Sequence, residues 1–234
     1  MRAAFPAASC LVVVLAGCGY VGPVLPPSPL IPNAVTDLAV IERGDRLWIT
    51  FNTPPRTTDQ VAIKNFSEIE LRIGPEAMPF DFASWAATAK QYPVSLPPPN
   101  NLDDPQATPI ATEIPVSDWR GQRVVVAVRT SVKHERFSSW SNHVALNVVE
   151  PLEPPAAKAE ATAQGVALSW AAQRAGVSYR IYRQSPVDKQ PVEIGTADQP
   201  HFVDPFAQSG IEHRYTIVAL EGQAESLASA VVKI

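Results

Sequence analysis

Gly165-Val166-Ala167-Leu168-Ser169-Trp170, followed by Tyr179-Arg180-Ile181-Tyr182-Arg183, is the stretch whose reading decides the fold of this 234-residue chain. Val166, Leu168 and Trp170 occupy alternate positions, as do Tyr179 and Ile181. Successive side chains leave a strand on opposite faces, so this period of two marks strands with one buried face. Tyr215, Ile217 and Ala219 continue the pattern. The same order occurs earlier. Leu47, Ile49 and Phe51 alternate with Arg46, Trp48 and Thr50, and Ile69, Leu71 and Ile73 alternate with Glu68, Glu70 and Arg72. Val124, Val126, Val128 and Thr130 alternate with Val125, Ala127 and Arg129. The segment ends match as well: Ser138-Ser139-Trp140-Ser141-Asn142 opens a last strand from Val144 to Val148, and Glu225-Ser226-Leu227-Ala228-Ser229 opens one from Ala230 to Ile234. Repetition of this kind predicts two tandem all-β domains.

These residues resemble fibronectin type III domains. Gly165 to Trp170 is similar to the second strand with its core tryptophan, and Tyr179 to Arg183 to the third. Phe202-Val203-Asp204 and Tyr215-Thr216-Ile217-Val218-Ala219 are similar to the fifth and sixth strands of bacterial members. The first copy departs from the pattern, with Phe51 where the tryptophan stands and no tyrosine opening Val124 to Thr130. The resemblance implies tandem immunoglobulin-like sandwiches, a fold that hosts binding and spacing more often than catalysis.

Proline divides the chain. The 24 prolines outnumber the 11 glycines and cluster in three places. Pro23 to Pro32 reads as an extended stalk reaching roughly 30 Å at about 3.1 Å per residue. A second cluster runs from Pro93 to Pro109, and Glu150-Pro151-Leu152-Glu153-Pro154-Pro155 reads as a short stiff hinge. The expected organisation is a signal peptide over 1-17, a stalk over 18-32 and a first domain over 33-149 with an insertion at about 74-117. The hinge at 150-155 and a second domain over 156-234 complete it.

At the amino terminus, Met1-Arg2 precedes an apolar run from Ala3 to Ala16 that closes on Gly17-Cys18. That run falls short of the ~20 residues a spanning helix needs, so it reads as a signal peptide. Leu15-Ala16-Gly17-Cys18 resembles the lipobox of bacterial lipoproteins, which implies cleavage before Cys18 and fatty acid, palmitate among it, on that cysteine. Acyl chains contribute roughly 0.8 kcal/mol per buried methylene and hold a protein on a membrane without a protein helix. Gly19 stands where an aspartate would favour the inner membrane in enteric bacteria, so the expected address is the outer membrane of the envelope.

Cleavage removes Arg2 and no acid, taking the net charge from -4 to -5. A mildly acidic chain without a basic run points away from nucleic acid. Cys10 leaves with the signal peptide, so no internal disulfide is expected. His134, His143, His201 and His213 lie far apart without metal-ligand spacing, and Asp103-Asp104 reads as solvated loop acids. No nucleophile elbow, phosphate-cradling loop or dinucleotide fingerprint occurs. No cofactor, metal or catalytic role is therefore expected.

Two features remain open to a binding role. In the insertion, Asp81 is placed to cap a short helix from Phe82 to about Gln91 carrying the aromatics Phe80, Phe82, Trp85 and Tyr92. The rings either cover a sheet edge or rim of the sandwich, or present a face to an envelope protein or a glycan. On the glycan reading, Trp85→Ala loses binding with folding intact. Arg43-Gly44-Asp45 spells a tripeptide by which some fibronectin modules bind integrins, but a Gly-Asp pair between apolar runs is also what a tight hairpin turn requires. Trp140 reads as structural. The expectation is a non-enzymatic envelope lipoprotein, a protein-binding or structural spacer module, with a glycan-binding or adhesive role as the alternative.

Overall fold

The computed structural model describes residues 30–133 and 136–234. The expected signal peptide, the lipobox with Cys18 and most of the stalk lie outside the described residues, as does His134. The first domain runs β1 (Ala39–Arg43), β2 (Arg46–Thr53), β3 (Glu68–Pro75), α1 (Phe82–Thr88), β4 (Lys90–Tyr92), β5 (Thr108–Pro115), a single 3₁₀ turn (Val116–Asp118), β6 (Arg123–Ser131) and β7 (Val144–Asn147). The second runs β8 (Lys158–Thr162), β9 (Gly165–Ser169), β10 (Ser178–Gln184), β11 (Val192–Ala197), β12 (His201–Asp204), β13 (Arg214–Glu221), β14 (Ala224–Glu225) and β15 (Val232–Lys233).

Each domain is a sandwich of two antiparallel sheets. In the first, β1-β2-β5 faces β4-β3-β6-β7; in the second, β8-β9-β12 faces β11-β10-β13. The alternate residues read from the sequence meet between the sheets: Leu47, Ile49 and Phe51 pack on Ile69, Leu71, Ile73, Val124, Val126 and Val128. Leu168, Trp170, Tyr179, Ile181, Tyr215 and Ile217 form the second core. Burying such a set at about 25 cal/mol per Å² is the main stabilising contribution in domains that hold no disulfide. The chain is thus all-β, with two tandem fibronectin type III-like sandwiches.

Residues 74–117 hold more of the sandwich than an insertion would. β5 closes the first sheet by pairing with β2 from Thr53↔Thr108 to Arg46↔Pro115, and β4 extends the second by pairing with β3. Pro109, Thr112 and Pro115 dilute the apolar alternation of β5, so the strand does not stand out in sequence. α1 stops at Thr88, short of Gln91, because Lys90–Tyr92 is drawn into pairing with Leu71–Ile73. The last strand of the second domain, expected from Ala230 to Ile234, is shortened to β15 at Val232–Lys233, and a separate short strand, β14, precedes Ser226; both pair with β13.

The hinge does not separate the two units. Leu152 is buried in the second core, Arg174 Nη2 donates to Glu150 O at 2.7 Å, and Gln173 Nε2 donates to Glu153 O at 2.7 Å. β14 pairs in parallel with β1, Glu42 against Ala224 and Arg43 against Glu225. One eight-stranded sheet therefore runs through both domains, from β11 to β5. Because β13 runs antiparallel to β14, and β14 parallel to β1, the overlap involves only adjoining strand ends. The loop between β12 and β13 thus lies at the end of the molecule opposite Pro32, which bridges to Thr57 beyond the end of β2.

Candidate functional site

The expected aromatics divide between two places. Phe80, Phe82 and Trp85 gather on the outer face of the second sheet of the first domain, over Val125, Ala127 and Ala145. Tyr92 packs instead into the main core, where its hydroxyl accepts a 3.0 Å bond from Trp119 Nε1. Asp81 caps α1 as expected, accepting from Ser84 N–H at 2.7 Å. That bond and the Ser84 hydroxyl hold its carboxyl below the ordinary value, with side-chain bonding to Ser84 the larger cause.

The close approach of α1 depends on Gly74. A Cβ there would lie 2.9 Å from Ala89 Cβ and 2.9 Å from Trp85 Nε1. With no side chain on Gly74, Trp85 settles onto the sheet and retains only 6% of its surface exposed. Its ring meets Phe82 at 5.2 Å and Trp140 at 6.3 Å between centroids, while His143 lies 5.8 Å from both Phe80 and Phe82. Trp140 and His143 come from the segment before β7, about sixty residues away in sequence, and no local pattern links them to the helix. Arrays of this kind add about 0.5–1.5 kcal/mol per pair beyond area burial.

Beyond the helix, the same sheet face carries a stack of cations and rings. The Arg129 guanidinium lies 4.2 Å from the Phe137 ring centre and 4.5 Å from that of Trp140, and Arg72 lies 5.9 Å from Trp140. Glu70, buried between the arginines, accepts from Arg72 Nε at 2.5 Å and from Arg129 Nε at 2.6 Å. Arg72 also donates to Ala86 O, tying the stack to α1. Outward-facing Glu70 looks solvated in sequence; two arginines and the neighbouring rings bury it. Glu70 and its two arginines satisfy one another, Trp85 Nε1 is buried without a hydrogen-bond partner, and the face reads as an added layer of the sandwich.

Ser138 and Ser141 show why the two segment ends match. Thr130 N–H donates to Ser138 Oγ and Val128 N–H to Ser141 Oγ, while Ser138 and Ser141 N–H return bonds to Thr130 O and Val128 O. Ser226 and Ser229 do the same with Ala219 and Ile217. In both copies a serine hydroxyl replaces a strand carbonyl as acceptor, so the chain completes the ladder without extended pairing.

Of Arg43-Gly44-Asp45, Arg43 ends β1 and Gly44-Asp45 form a two-residue hairpin turn to β2, with Gly44 at φ +58°. Gly44 N–H donates to Glu225 O at 2.8 Å, and Leu227 Cγ lies 3.2 Å from where its Cβ would be. Arg43 pairs with Glu225 and stacks 4.9 Å from the Trp48 ring. The tripeptide is thus built into the junction between the domains.

The buried polar centre of the second domain is Asp204. Its Oδ2 accepts from the Tyr215 hydroxyl at 2.8 Å and Arg183 Nη1 at 2.9 Å, and its Oδ1 from Phe206 N–H at 3.0 Å. Burial favours the neutral acid, but the bonds from Tyr215, Arg183 and Phe206 outweigh it and hold the carboxyl below its usual value. Burial first and the hydrogen bond to Asp204 second push the Tyr215 phenol well above the tyrosine range. Neither group is poised for proton transfer near neutrality. Asp103 and Asp104 bond within their own loop, Asp103 N–H to Asn101 and Gln106 to Asp104. His201 is exposed at the start of β12, and His213 is buried with Nε2 accepting from Gln208 N–H at 2.9 Å. Among the described residues no three His, Cys, Asp or Glu side chains gather as a metal site, and no helix is long and apolar enough to cross a membrane.

At the end opposite Pro32, a cleft of about 550 Å³ opens between the β10–β11 and β12–β13 loops. Val187, Phe206 and Ile211 line it, and Val187 and Phe206 are 89% and 80% exposed.

No family model matches the sequence, and no curated protein matches it. Among solved structures it is similar to the FN1–FN3 domains of chicken CNTN1, with 15% identity over 87% of this chain and 67% of that one at a TM-score of 0.45. It is also similar to a two-domain fibronectin type III segment of chicken tenascin, with 14% identity over 86% of this chain and 98% of that one at a TM-score of 0.33.

Proposed function

We propose that this chain is a lipid-anchored envelope lipoprotein in which two fused sandwiches form a stiff, non-enzymatic spacer that offers its far end to a protein partner. The observation that carries the reading is the continuous sheet through β14 and β1, which makes one body of two domains at the point where tandem modules usually flex. The lipobox-like Leu15-Ala16-Gly17-Cys18 supports an anchor at one end, with the outer membrane as its address. The exposed Val187 and Phe206 at the opposite end support a partner contact there, since exposed apolar groups beside a cleft are costly to leave in water. The glycan alternative needs free ring faces, and Trp85 offers little.

Growth with radioactive palmitate and separation of membranes by density test the anchor. Label on the wild type, absent from Cys18→Ala and travelling with the outer membrane, is the expected result; an unlabelled wild type overturns the anchor. A photo-crosslinking residue at Phe206 tests the partner end. It is expected to capture an envelope protein that the same residue at Ile41 does not; equal capture at both positions contradicts the assignment.

A further inference from the structure

The junction between the sandwiches contains a buried acid. Glu42 follows Val40 on the inward face of β1 and is 1% exposed. One carboxylate oxygen accepts from Val149 N–H at 3.0 Å, and the other is buried with no hydrogen-bond partner. Backbone pairing sets Glu42 directly beside Ala224 of the second domain. The charged groups around it are Arg174 and Glu221 of the second domain and Glu150 of the connection, so its one nearby cation is accompanied by two acids. Arg174 is already engaged by Glu221, Nε to Oε2 at 2.8 Å, and by Glu150 O. On its own strand, neighbouring Arg43 is held by Glu225. Glu42 is therefore enclosed by the closed junction without a counter-ion of its own, an arrangement that favours a neutral carboxyl.

We propose that the junction is a proton-operated latch: with the Glu42 carboxyl neutral the two sandwiches are locked together, and with it charged the β1–β14 contact opens so that water reaches the acid.

The sign follows from linkage. Burial is the main cause that raises the Glu42 value in the closed state, against the lowering effect of the Val149 bond and Arg174. The closed state thus binds the proton more tightly than the open one. Its advantage is complete below the ordinary glutamate value and is lost as pH rises through the raised value. Locking is greatest in mild acid, below the raised Glu42 value. Each unit by which the two states differ in Glu42 affinity for the proton changes the locked-to-open ratio about tenfold. The inference concerns the stiffness of the spacer and holds whether or not the chain carries lipid.

The test is a pair of spin labels at Asn65→Cys and Lys189→Cys, at opposite ends of the molecule, on the full chain with Cys10→Ser and Cys18→Ser, in detergent. Distances are read by pulsed electron resonance from about pH 5 to about pH 8, the range over which a raised glutamate titrates. The expected result is one narrow distance population in mild acid and loss of that population to a broad one as pH rises. Glu42→Gln, which keeps the acceptor for Val149 without the charge, is expected to stay narrow throughout. A wild-type distribution that does not change with pH overturns the latch even if Glu42→Gln fails to fold, and so does a Glu42→Gln protein that broadens like the wild type.

Discussion

Arg43 of the first sandwich grips Glu225 of the second, with Nε and Nη2 each 2.5 Å from the same carboxylate oxygen, immediately beside the backbone pairing of these two residues. The pair is partly exposed, so its own contribution is about 1 kcal/mol or less. Its importance is geometric, because it closes the parallel β1–β14 contact that joins two cores. Arg43→Ala is expected to leave both cores intact and to separate one calorimetric transition into two. Gly44→Ala acts at the same place through strain, costing about 1–2 kcal/mol for the left-handed backbone, with Leu227 crowding the new methyl.

The packing of α1 against Gly74 makes a second prediction. Gly74→Ala is expected to cost about 1–3 kcal/mol by overpacking against Ala89 and Trp85, and Trp85→Ala about 3–5 kcal/mol by emptying the layer over Val125 and Ala127. Both are read from urea midpoints and tryptophan fluorescence. For Trp85 this replaces the expectation of unchanged folding, which held for a ring presented to solvent; the ring is buried.

Asp204 governs how the second sandwich responds to acid. Its carboxyl is held below the ordinary value, so its contribution is present above that value and is lost as pH falls through the lowered one. Asp204→Asn is expected to cost about 3 kcal/mol at neutral pH, because Arg183 and the Tyr215 hydroxyl lose a charged partner. The variant should also show a flatter acid limb in denaturation followed from about pH 6 to about pH 2, the span in which a lowered carboxylate titrates.

The paired serines give a matched test in the two domains. Ser141→Ala leaves Val128 N–H without its side-chain acceptor, and Ser229→Ala does the same to Ile217 N–H. Each is expected to cost about 1–3 kcal/mol. Hydrogen exchange at Val128 and Ile217 should speed up, while exposed Ser139→Ala changes neither.

Much of the fold is legible in sequence because burial follows chain-local alternation. Leu47, Ile49, Ile69, Leu71, Val126 and Ile217 all point inward where the period of two sets them. Gly44 could be read as a turn because its place between two apolar runs demands one. What is missed depends on contacts between distant segments. Val125 and Ala127 alternate like solvent-facing residues yet are buried, because α1 covers them from outside the sheet. β5 is obscured by its prolines, and only its pairing with β2 reveals a strand. His143 joins the aromatic cluster and Glu225 joins Arg43 across separations of about sixty and 182 residues, where no periodicity reaches. The junction was hidden for a further reason: its connection is proline-rich and reads as a spacer, whereas Leu152, Arg174 and Gln173 hold it to the second domain.

Residual dipolar couplings test the union of the two sandwiches most directly. Backbone amide couplings from Ala39–Asn147 and from Lys158–Lys233 are measured in one weakly aligned sample in mild acid. One alignment tensor, equal in magnitude and orientation for both sandwiches, is the result expected of a single body held by β1 and β14. Two tensors of different magnitude would mean that the domains reorient independently, and would contradict the fused spacer.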